Sequence, residues 1–485
     1  MTSTFAVDSP TRAAGRDTRP VQVSSARDLY FALMDNPAAA LEASGAFLAA
    51  QIEVARAEPC ELPDAVWQLQ GWIQGRAESV GIAYREYLAA RKNGAPRRYF
   101  TNKSHALYFL KGVAPTKLVD GAWLYGTLSR WENPEFHPLI KTYLEELGDG
   151  VPDKNHVTLY RRLLATHGCE HWETLPEDHF VQGAIQLALA YNADAFLPEV
   201  VGYNLGYEQL PLHLLITSYE LNELGIDPYY FTLHVTVDNA GSGHAHKAVQ
   251  ALRHLMAQSG DPAAFFQRVL DGYRLNDLGA CTTSVIGAFD LEAELVEIFS
   301  AKAAIGKNMH SDYCRVAGRS VNDWLADPRQ IPEFLTKLEE SGWIQRGEDV
   351  EQSRFWRLIQ GERAEMFGVF SSYEQQVLRD WITTPRDAIA AARTTRVLSH
   401  RARQRTLDSL TQHAQRSGYP ERGLIRRRPA GTGGDSELHQ LEQRVAAAAG
   451  KPEAMAMLAQ LMSPSVHHTA IGLMATRMYS QLLDA

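Results

Sequence analysis

A long succession of helix-forming segments between Lys103 and about Ala288 constrains the fold of this chain most strongly. Apolar residues recur in these segments at helical spacing, and the segments are broken by Gly, Pro and Asp, as in GDGVP at 148–152 and GIDP at 225–228. Alternating strand patterns are scarce throughout the sequence. Because amphipathic helices bury their apolar faces against one another, the sequence predicts an all-α bundle in this region.

With 485 residues, the chain is too long for one ordinary hydrophobic core, and two or three domains are expected. Changes in composition along the sequence predict six segments, which are a disordered N-terminus (1–24), an N-terminal helical segment (25–100), the bundle (101–289), a small and mostly helical accessory domain (290–383), an Arg-rich linker (384–435) and C-terminal helices (436–485).

Composition and charge narrow the classes of partner. A content of 45% hydrophobic and 22% charged residues is typical of a globular protein, and the net charge of −9 disfavours nucleic acid and anionic membranes. The Arg-rich linker is interpreted as a solvated basic segment, with nucleic-acid binding as the alternative. The four cysteines form no CxxC pair, and no signal peptide or transmembrane segment is evident. We therefore expect a cytoplasmic protein that acts on a small molecule.

The sequence YYFTLHVTVDNAGSGHAH, residues 229–246, carries the strongest indication of chemistry. His234 and Asp238 are four residues apart in an apolar helical segment, so their side chains lie about 40° apart around the helix and one turn apart along it. Burying an imidazole and a carboxylate is costly unless they are paired or bind a metal. The pair is either a metal-binding motif or a hydrogen-bonded core pair.

Three further residues have the chemistry of metal ligands. Glu146 ends a helix at ELGDG, His156 begins the next helix, which Asp153 is expected to cap, and Glu199 follows Pro198 in the first turn of another helix. No histidine follows a glutamate at Glu-x-x-His spacing, which disfavours a ferritin-like bundle. A mixed set of carboxylates and imidazoles suits iron or manganese better than zinc. Additional ligand candidates are Asp120, Glu208 and His213.

The order of these motifs resembles that of the haem-oxygenase-like diiron oxidases, which are described as iron-containing redox enzymes. The likeness covers roughly residues 100–290 and is clearest in LGDGVPDKNHVTLYRRLL and LPEVVGYNLGYEQLPLHLL. The resemblance implies a bundle of about seven helices without haem, two Fe(II) ions per chain, and dioxygen as co-substrate. It places Glu146 and His156 on one iron, Glu199 on the other or on both, and His234 and Asp238 at the pair.

The chain departs from the family pattern at its last ligand. The family usually continues His-x3-Asp with x2-His, but position 241 is Gly, and the next histidines are His244 and His246. Six residues span about 240° of a regular helix, so His244 can join Asp238 only where the helix is distorted, which Gly241 and Gly243 would permit. We select His244 as the sixth metal-binding and catalytic residue, with His246 as the alternative.

The resemblance implies an oxygen-dependent oxidoreductase that acts on an amino acid or small amine. N-oxygenation is favoured because the Glu146-x9-His156 arrangement resembles that of the N-oxygenating members of the family, and oxidative C–C cleavage or desaturation of an amino or fatty acid is the alternative. Two metal-free alternatives are a hydrolase that uses Cys169 and a helical scaffold or regulator. An external electron donor and a homodimer are compatible with the sequence. Arg161, Arg162 and Lys247 are the candidate cations for holding substrate charges.

Overall fold

The computed structural model describes residues 23–237, 243–360, 364–385 and 434–485. Three α-helices form the N-terminal segment, namely α1 (Ala26–Asp35), α2 (Pro37–Ala55) and α3 (Leu69–Lys92). The helices of the bundle follow as α4 (Lys103–Gly112), α5 (Ala114–Lys117), α6 (His137–Glu146), α7 (His156–His167), α8 (Val181–Tyr191), α9 (Leu197–Tyr207), α10 (Leu212–Glu223), α11 (Tyr229–Val237), α12 (His244–Gln258), α13 (Pro262–Arg274) and α14 (Thr282–Gly287).

The accessory segment contains α15 (Leu291–Gly306), the two-stranded antiparallel hairpin β1 (Arg315–Val316) and β2 (Arg319–Ser320), α16 (Val321–Leu325), α17 (Ile331–Glu340), α18 (Arg354–Ile359) and α19 (Ser372–Thr383). The C-terminal helices are α20 (Gly434–Ala446), α21 (Lys451–Leu461) and α22 (Ala470–Asp484). Short 3₁₀ helices occupy Val66–Gln68, Ala122–Arg130, Pro134–Phe136, Gly148–Gly150, Glu177–Phe180, Leu275–Asp277, Pro328–Gln330 and Val350–Gln352. The predicted all-α class is confirmed. The predicted disordered N-terminus and Arg-rich linker lie almost entirely outside the described residues.

The centre of the bundle is a close crossing of α9 and α13. A Cβ atom on Gly202 of α9 would lie 2.0 Å from the Val269 carbonyl oxygen, and one on Gly272 of α13 would lie 2.2 Å from the Glu199 carbonyl oxygen. Glycine at both positions therefore lets the two backbones touch. Helix α8, whose residues 182–190 are all buried, completes this core.

Two hydrophobic clusters extend across the predicted segments. One combines the N-terminal helices, most of the bundle and the C-terminal helices, and the other combines α4, α7 and α11 with the accessory helices. The C-terminal helices are fixed to the bundle by the hydroxyls of Tyr143 and Tyr479, which donate to the carbonyl oxygens of Met462 (2.6 Å) and Leu128 (2.7 Å). The domain boundaries stay a prediction, because the cores are shared.

Among the described residues, one helix, α2, is long and apolar enough by composition to cross a membrane. In this structure α2 packs on α1 and α8 and buries Leu48 and Ile52 in the first hydrophobic cluster. Part of its apolar surface is therefore used in packing against these helices.

Candidate metal centre

A compact left-handed turn joins α6 to α7 and brings two predicted ligands together. Gly148, Asp149 and Gly150 have φ values of 64°, 50° and 74°, a region that glycine adopts at little cost. The turn returns the chain so that His156, at the start of α7, directs its Nδ1 onto the Oε2 atom of Glu146, at the end of α6. The α7 cap is Asn155, whose Oδ1 accepts from the Thr158 amide, so the expected cap by Asp153 was wrong.

Asp120 approaches the same carboxylate from the turn that precedes the Ala122–Arg130 3₁₀ helix. Gly121, at φ 80°, makes the approach possible, because a Cβ atom there would lie 2.7 Å from the Glu146 Cβ. Asp120 is 1% exposed and accepts hydrogen bonds from the hydroxyls of Tyr207 (2.8 Å) and Tyr230. The sequence suggested Asp120 only as an additional ligand, whereas the fold places it at the centre of the site.

The first group of candidate ligands is Asp120, Glu146, His156 and His234. All four side chains are buried, and each offers a ligand atom within 4.8 Å of those of the others. The Nε2 atom of His234 lies 3.3 Å from the Asp120 Oδ2, and the Nδ1 atom of His156 lies 3.9 Å from it. Four donor atoms of this kind and spacing can surround one metal ion.

The second group is Glu146, Glu208 and His244, again all buried and within 4.8 Å of one another. His244 is the first residue of α12, and its Nδ1 lies 2.9 Å from the Glu208 Oε2 and 3.4 Å from the Glu146 Oε1. Glu208 follows the last residue of α9. Glu146 belongs to both groups, with one carboxylate oxygen directed to each, so its carboxylate lies between two candidate metal positions.

The outer nitrogens of two imidazoles are held by acceptors. The Nδ1 atom of His234 donates to the Tyr230 carbonyl oxygen at 2.8 Å, which leaves Nε2 directed to Asp120. The Nε2 atom of His244 lies 2.7 Å from the Glu145 Oε2, which leaves Nδ1 directed to Glu208. An outer hydrogen bond that fixes the tautomer is the usual arrangement of a metal-binding histidine.

The electrostatics of the site favour cations. Asp120, Glu146 and Glu208 are only 1%, 3% and 2% exposed. Burial opposes ionisation of Asp120, but the Lys117 ammonium, 3.8 Å from its Oδ1, and the adjacent imidazoles hold the pKa of Asp120 below its usual range. Three buried carboxylates with one adjacent ammonium leave a negative charge that divalent cations would neutralise. The donor set therefore fits a metal.

The structure does not bring Glu199 to either group, and this departs from the sequence-based expectation. The Glu199 carboxylate is bound by the Arg268 guanidinium through two hydrogen bonds of 2.6 and 2.7 Å. Glu199 lies in the first turn of α9, whereas Glu208 follows its last turn, and the separation of nine positions corresponds to about 13 Å of helix. Glu208 therefore occupies the place expected for Glu199.

The other residues predicted to bind metal or substrate are not placed in either ligand group by the described structure. Asp238 lies outside the described residues, as does Gly241. His246 is not part of either group. Of the cations predicted to hold the substrate, Arg161 and Arg162 are exposed, and Lys247 binds the Glu145 carboxylate at 2.5 and 2.6 Å.

A cavity of about 450 Å³ reaches the site at His234. Its walls come from the N-terminal helix α3, from the bundle helices α4, α5 and α8 to α14 and from the loop before α10. His213 lines this cavity rather than the ligand groups, and burial together with the Lys117 charge lowers the pKa of His213 to about 4. Lys117 also lines the cavity, and its position three residues before Asp120 is the one feature of the sequence that could have indicated it.

Buried groups of carboxylates and imidazoles inside an all-α bundle are the arrangement in which helical bundles bind metal ions. The sequence model of the family described as iron-containing redox enzyme matches residues 107–277. This segment holds every member of both ligand groups, and its sequence is similar to that family, in agreement with the resemblance found in the sequence. No curated protein and no solved structure matches the chain.

Proposed function

We propose that the chain is a non-haem diiron, oxygen-dependent oxidoreductase that acts on an amino acid or small amine, with N-oxygenation as the favoured reaction. The observation that carries the proposal is the position of Glu146 in both ligand groups. Glu146 would help to hold both ions, because one of its carboxylate oxygens lies near His156 and the other near His244. Asp120, His156 and His234 would hold one ion, and Glu208 and His244 the other.

The presence of two donor sets, rather than the charge alone, supports two divalent ions. Three carboxylates together with three neutral imidazoles give the six residues a charge of −3. Lys117 balances one unit, and Lys247 is already neutralised by Glu145. One divalent ion would neutralise the remaining charge and leave one donor set unused, whereas two ions would use both sets and give a positive site that attracts an anionic substrate. Two ferrous ions, when bound, supply the redox chemistry that activates dioxygen.

The residues of the chain supply geometry and exclude water. The Tyr230 carbonyl oxygen fixes the ring of His234, and the hydroxyls of Tyr207 and Tyr230 hold Asp120 in place. All members of the two groups are buried, so bulk water is kept from the site while the cavity beside His234 admits a substrate.

The environment of Cys169 does not favour its use as a nucleophile. Cys169 is buried, its Sγ is directed to the Leu107 carbonyl oxygen, and burial raises the pKa of the Cys169 thiol to about 12. A thiol with such a pKa is protonated at neutral pH and is a poor nucleophile. The metal centre is therefore the better basis for activity.

Anaerobic loading with ferrous iron tests the proposal. We expect two irons per chain by metal analysis, dioxygen consumption that depends on an added amino acid or amine, and a product heavier by one oxygen atom when ¹⁸O₂ is used. A Glu146→Ala variant should lose both irons because both donor sets share this carboxylate. Binding of a single metal ion by the wild-type chain, or oxygen consumption triggered only by a fatty acid, would contradict the proposed function.

A further inference from the structure

The cavity beside His234 is apolar over most of its wall. Ile73, Val80, Phe109, Val113, Leu214 and Phe231 contribute to its lining. Such a surface favours a ligand with an apolar body, since each buried CH₂ group contributes about 0.8 kcal/mol. The volume of about 450 Å³ is within the range of small-molecule sites.

The charges of the lining have one sign. Lys117 and Arg76 line the cavity, and none of the described residues of the lining is Asp or Glu. Arg76 belongs to the outer end, because its guanidinium is 45% exposed, pairs with Glu61 and lies over the Trp72 ring. Lys117, with a side chain 19% exposed, is the cation at the inner end.

Lys117 connects the cavity to the metal centre. Its Nζ donates to the Tyr207 hydroxyl at 2.8 Å, and this hydroxyl donates to the Asp120 Oδ1 at 2.8 Å. Asp120 in turn lies 3.3 Å from His234 through its Oδ2. An ammonium group has three donors, of which Tyr207 takes one, so Lys117 keeps donors for a ligand. The tyrosine rings at 4.9 and 6.0 Å from Nζ restrict its position.

We propose that Lys117 binds the carboxylate of the substrate and that the cavity selects a carboxylic acid with an apolar body. This inference rests on the proposed function, since it assigns the cavity to the substrate of the metal centre. A carboxylate at Lys117 gains a charge-assisted hydrogen bond in a site sheltered from water. A substrate with a cationic side chain would bury that charge in a lining that offers no acidic partner, which is unfavourable.

Two sources provide such a ligand, namely apolar amino acids and fatty acids. The test measures binding by calorimetry, without oxygen, to the iron-loaded protein. The probes are L-phenylalanine, octanoate, 2-phenylethylamine and L-lysine. We expect binding of at least one of the first two, and binding of 2-phenylethylamine and L-lysine that is at least tenfold weaker. The amine that matches phenylalanine in its apolar body isolates the contribution of the carboxylate.

Variants at position 117 test the anchor itself. Lys117→Met should weaken binding of the carboxylate probe by about 10- to 100-fold, the worth of one hydrogen bond to a charged group, and Lys117→Arg should restore most of it. The matched control is Lys111→Met, because Lys111 has a similar exposure of 20% but lies 3.7 Å from Glu294 and outside the cavity lining. This control should bind the probes as the wild type does.

The outcomes separate the two proposals. Equal binding of 2-phenylethylamine and L-phenylalanine, or unchanged carboxylate binding in Lys117→Met, would overturn the anchor even if the chain holds two irons. Failure of the wild type to hold two irons would overturn the proposed function. In that case, the difference in binding between L-phenylalanine and 2-phenylethylamine would still show whether the wild-type cavity prefers a carboxylate. If Lys117→Met does not fold, binding of the probes to the wild type and to Lys117→Arg still tests whether a cation at position 117 binds the carboxylate.

Discussion

At the scale of residues, the two glutamates of α9 show how a metal site is assembled. Glu199 and Glu208 are both buried, at 3% and 2% exposure, and they lie at opposite ends of the same helix. Glu199 meets Arg268, whereas Glu208 meets His244. A buried carboxylate needs a cation in either case, and the neighbour that the fold supplies decides whether this is a guanidinium or a metal ion.

We therefore expect Glu208→Ala and Glu199→Ala to differ in iron content. Glu208→Ala should bind about one iron fewer per chain, because the second donor set loses its own carboxylate. Glu199→Ala should retain the wild-type iron content and lose about 1 kcal/mol of unfolding free energy, since Arg268 is 42% exposed and can be solvated. Metal analysis and denaturant unfolding measure both quantities. Loss of iron from Glu199→Ala alone would instead support the ligand set expected from the sequence.

The sequence predicted part of this site for a physical reason. Glu146 and His156 are separated by one turn, so local chain geometry brings them together. The choice between Glu199 and Glu208 depends on what α12 and α13 place opposite each end of α9, which is a contact between distant parts of the chain. No local pattern encodes such a contact, and the same holds for Lys117.

At the scale of elements, the sequence predicts which segments are helical but not where one helix ends and the next begins. The expected single distorted helix carrying His234 and His244 is two helices, with α11 described to Val237 and α12 beginning at His244. Apolar spacing marks a helical segment, but the direction of α12 depends on the helices against which it packs. His244 reaches the centre because α12 packs on α6 and α9.

The contact between α9 and α13 gives a prediction for elements. Gly202→Ala should lower the unfolding free energy by about 1–3 kcal/mol, because the added methyl group would overlap the Val269 carbonyl oxygen and force the helices apart. Gly75→Ala in α3 is the control, since a Cβ atom there has no neighbour within 4 Å and should add about 0.5–1 kcal/mol through helix propensity. Unfolding in denaturant checks both, and equal stabilities would show that the crossing adjusts freely.

At the scale of the whole molecule, segments outside the family match support the metal centre. The 148–150 turn packs against α22, where a Cβ atom on Gly150 would lie 2.2 Å from the Leu473 carbonyl oxygen. Met455, Leu458 and Tyr479 belong to the same hydrophobic cluster as the bundle core. The sequence predicted C-terminal helices but not where they pack, because about fifty residues separate them from α19, the preceding helix among the described residues, and the contact is long-range.

His467 makes the most direct connection between the C-terminal helices and the site. Its ring is 2% exposed, and burial keeps the pKa of His467 well below its usual range, so the imidazole is neutral. The Asn155 side-chain amide donates to its Nδ1 at 3.1 Å and to the Leu147 carbonyl oxygen at 3.2 Å. The Oδ1 of Asn155 caps α7, which begins with His156. His467 thus helps to fix Asn155, the N-cap of α7, and α7 begins with the candidate ligand His156.

We expect His467→Ala to loosen this turn without unfolding the bundle. Hydrogen exchange of the metal-free protein should show faster exchange of the amides between 148 and 158, by about tenfold for the loss of roughly one hydrogen bond. Iron should bind more weakly at the donor set that includes His156. His439→Ala serves as the control, because this histidine is exposed on α20 and contacts Glu442. Exchange at 148–158 that matches the wild type would show that the turn is held by its own backbone, and the C-terminal helices would then act only through the shared hydrophobic core.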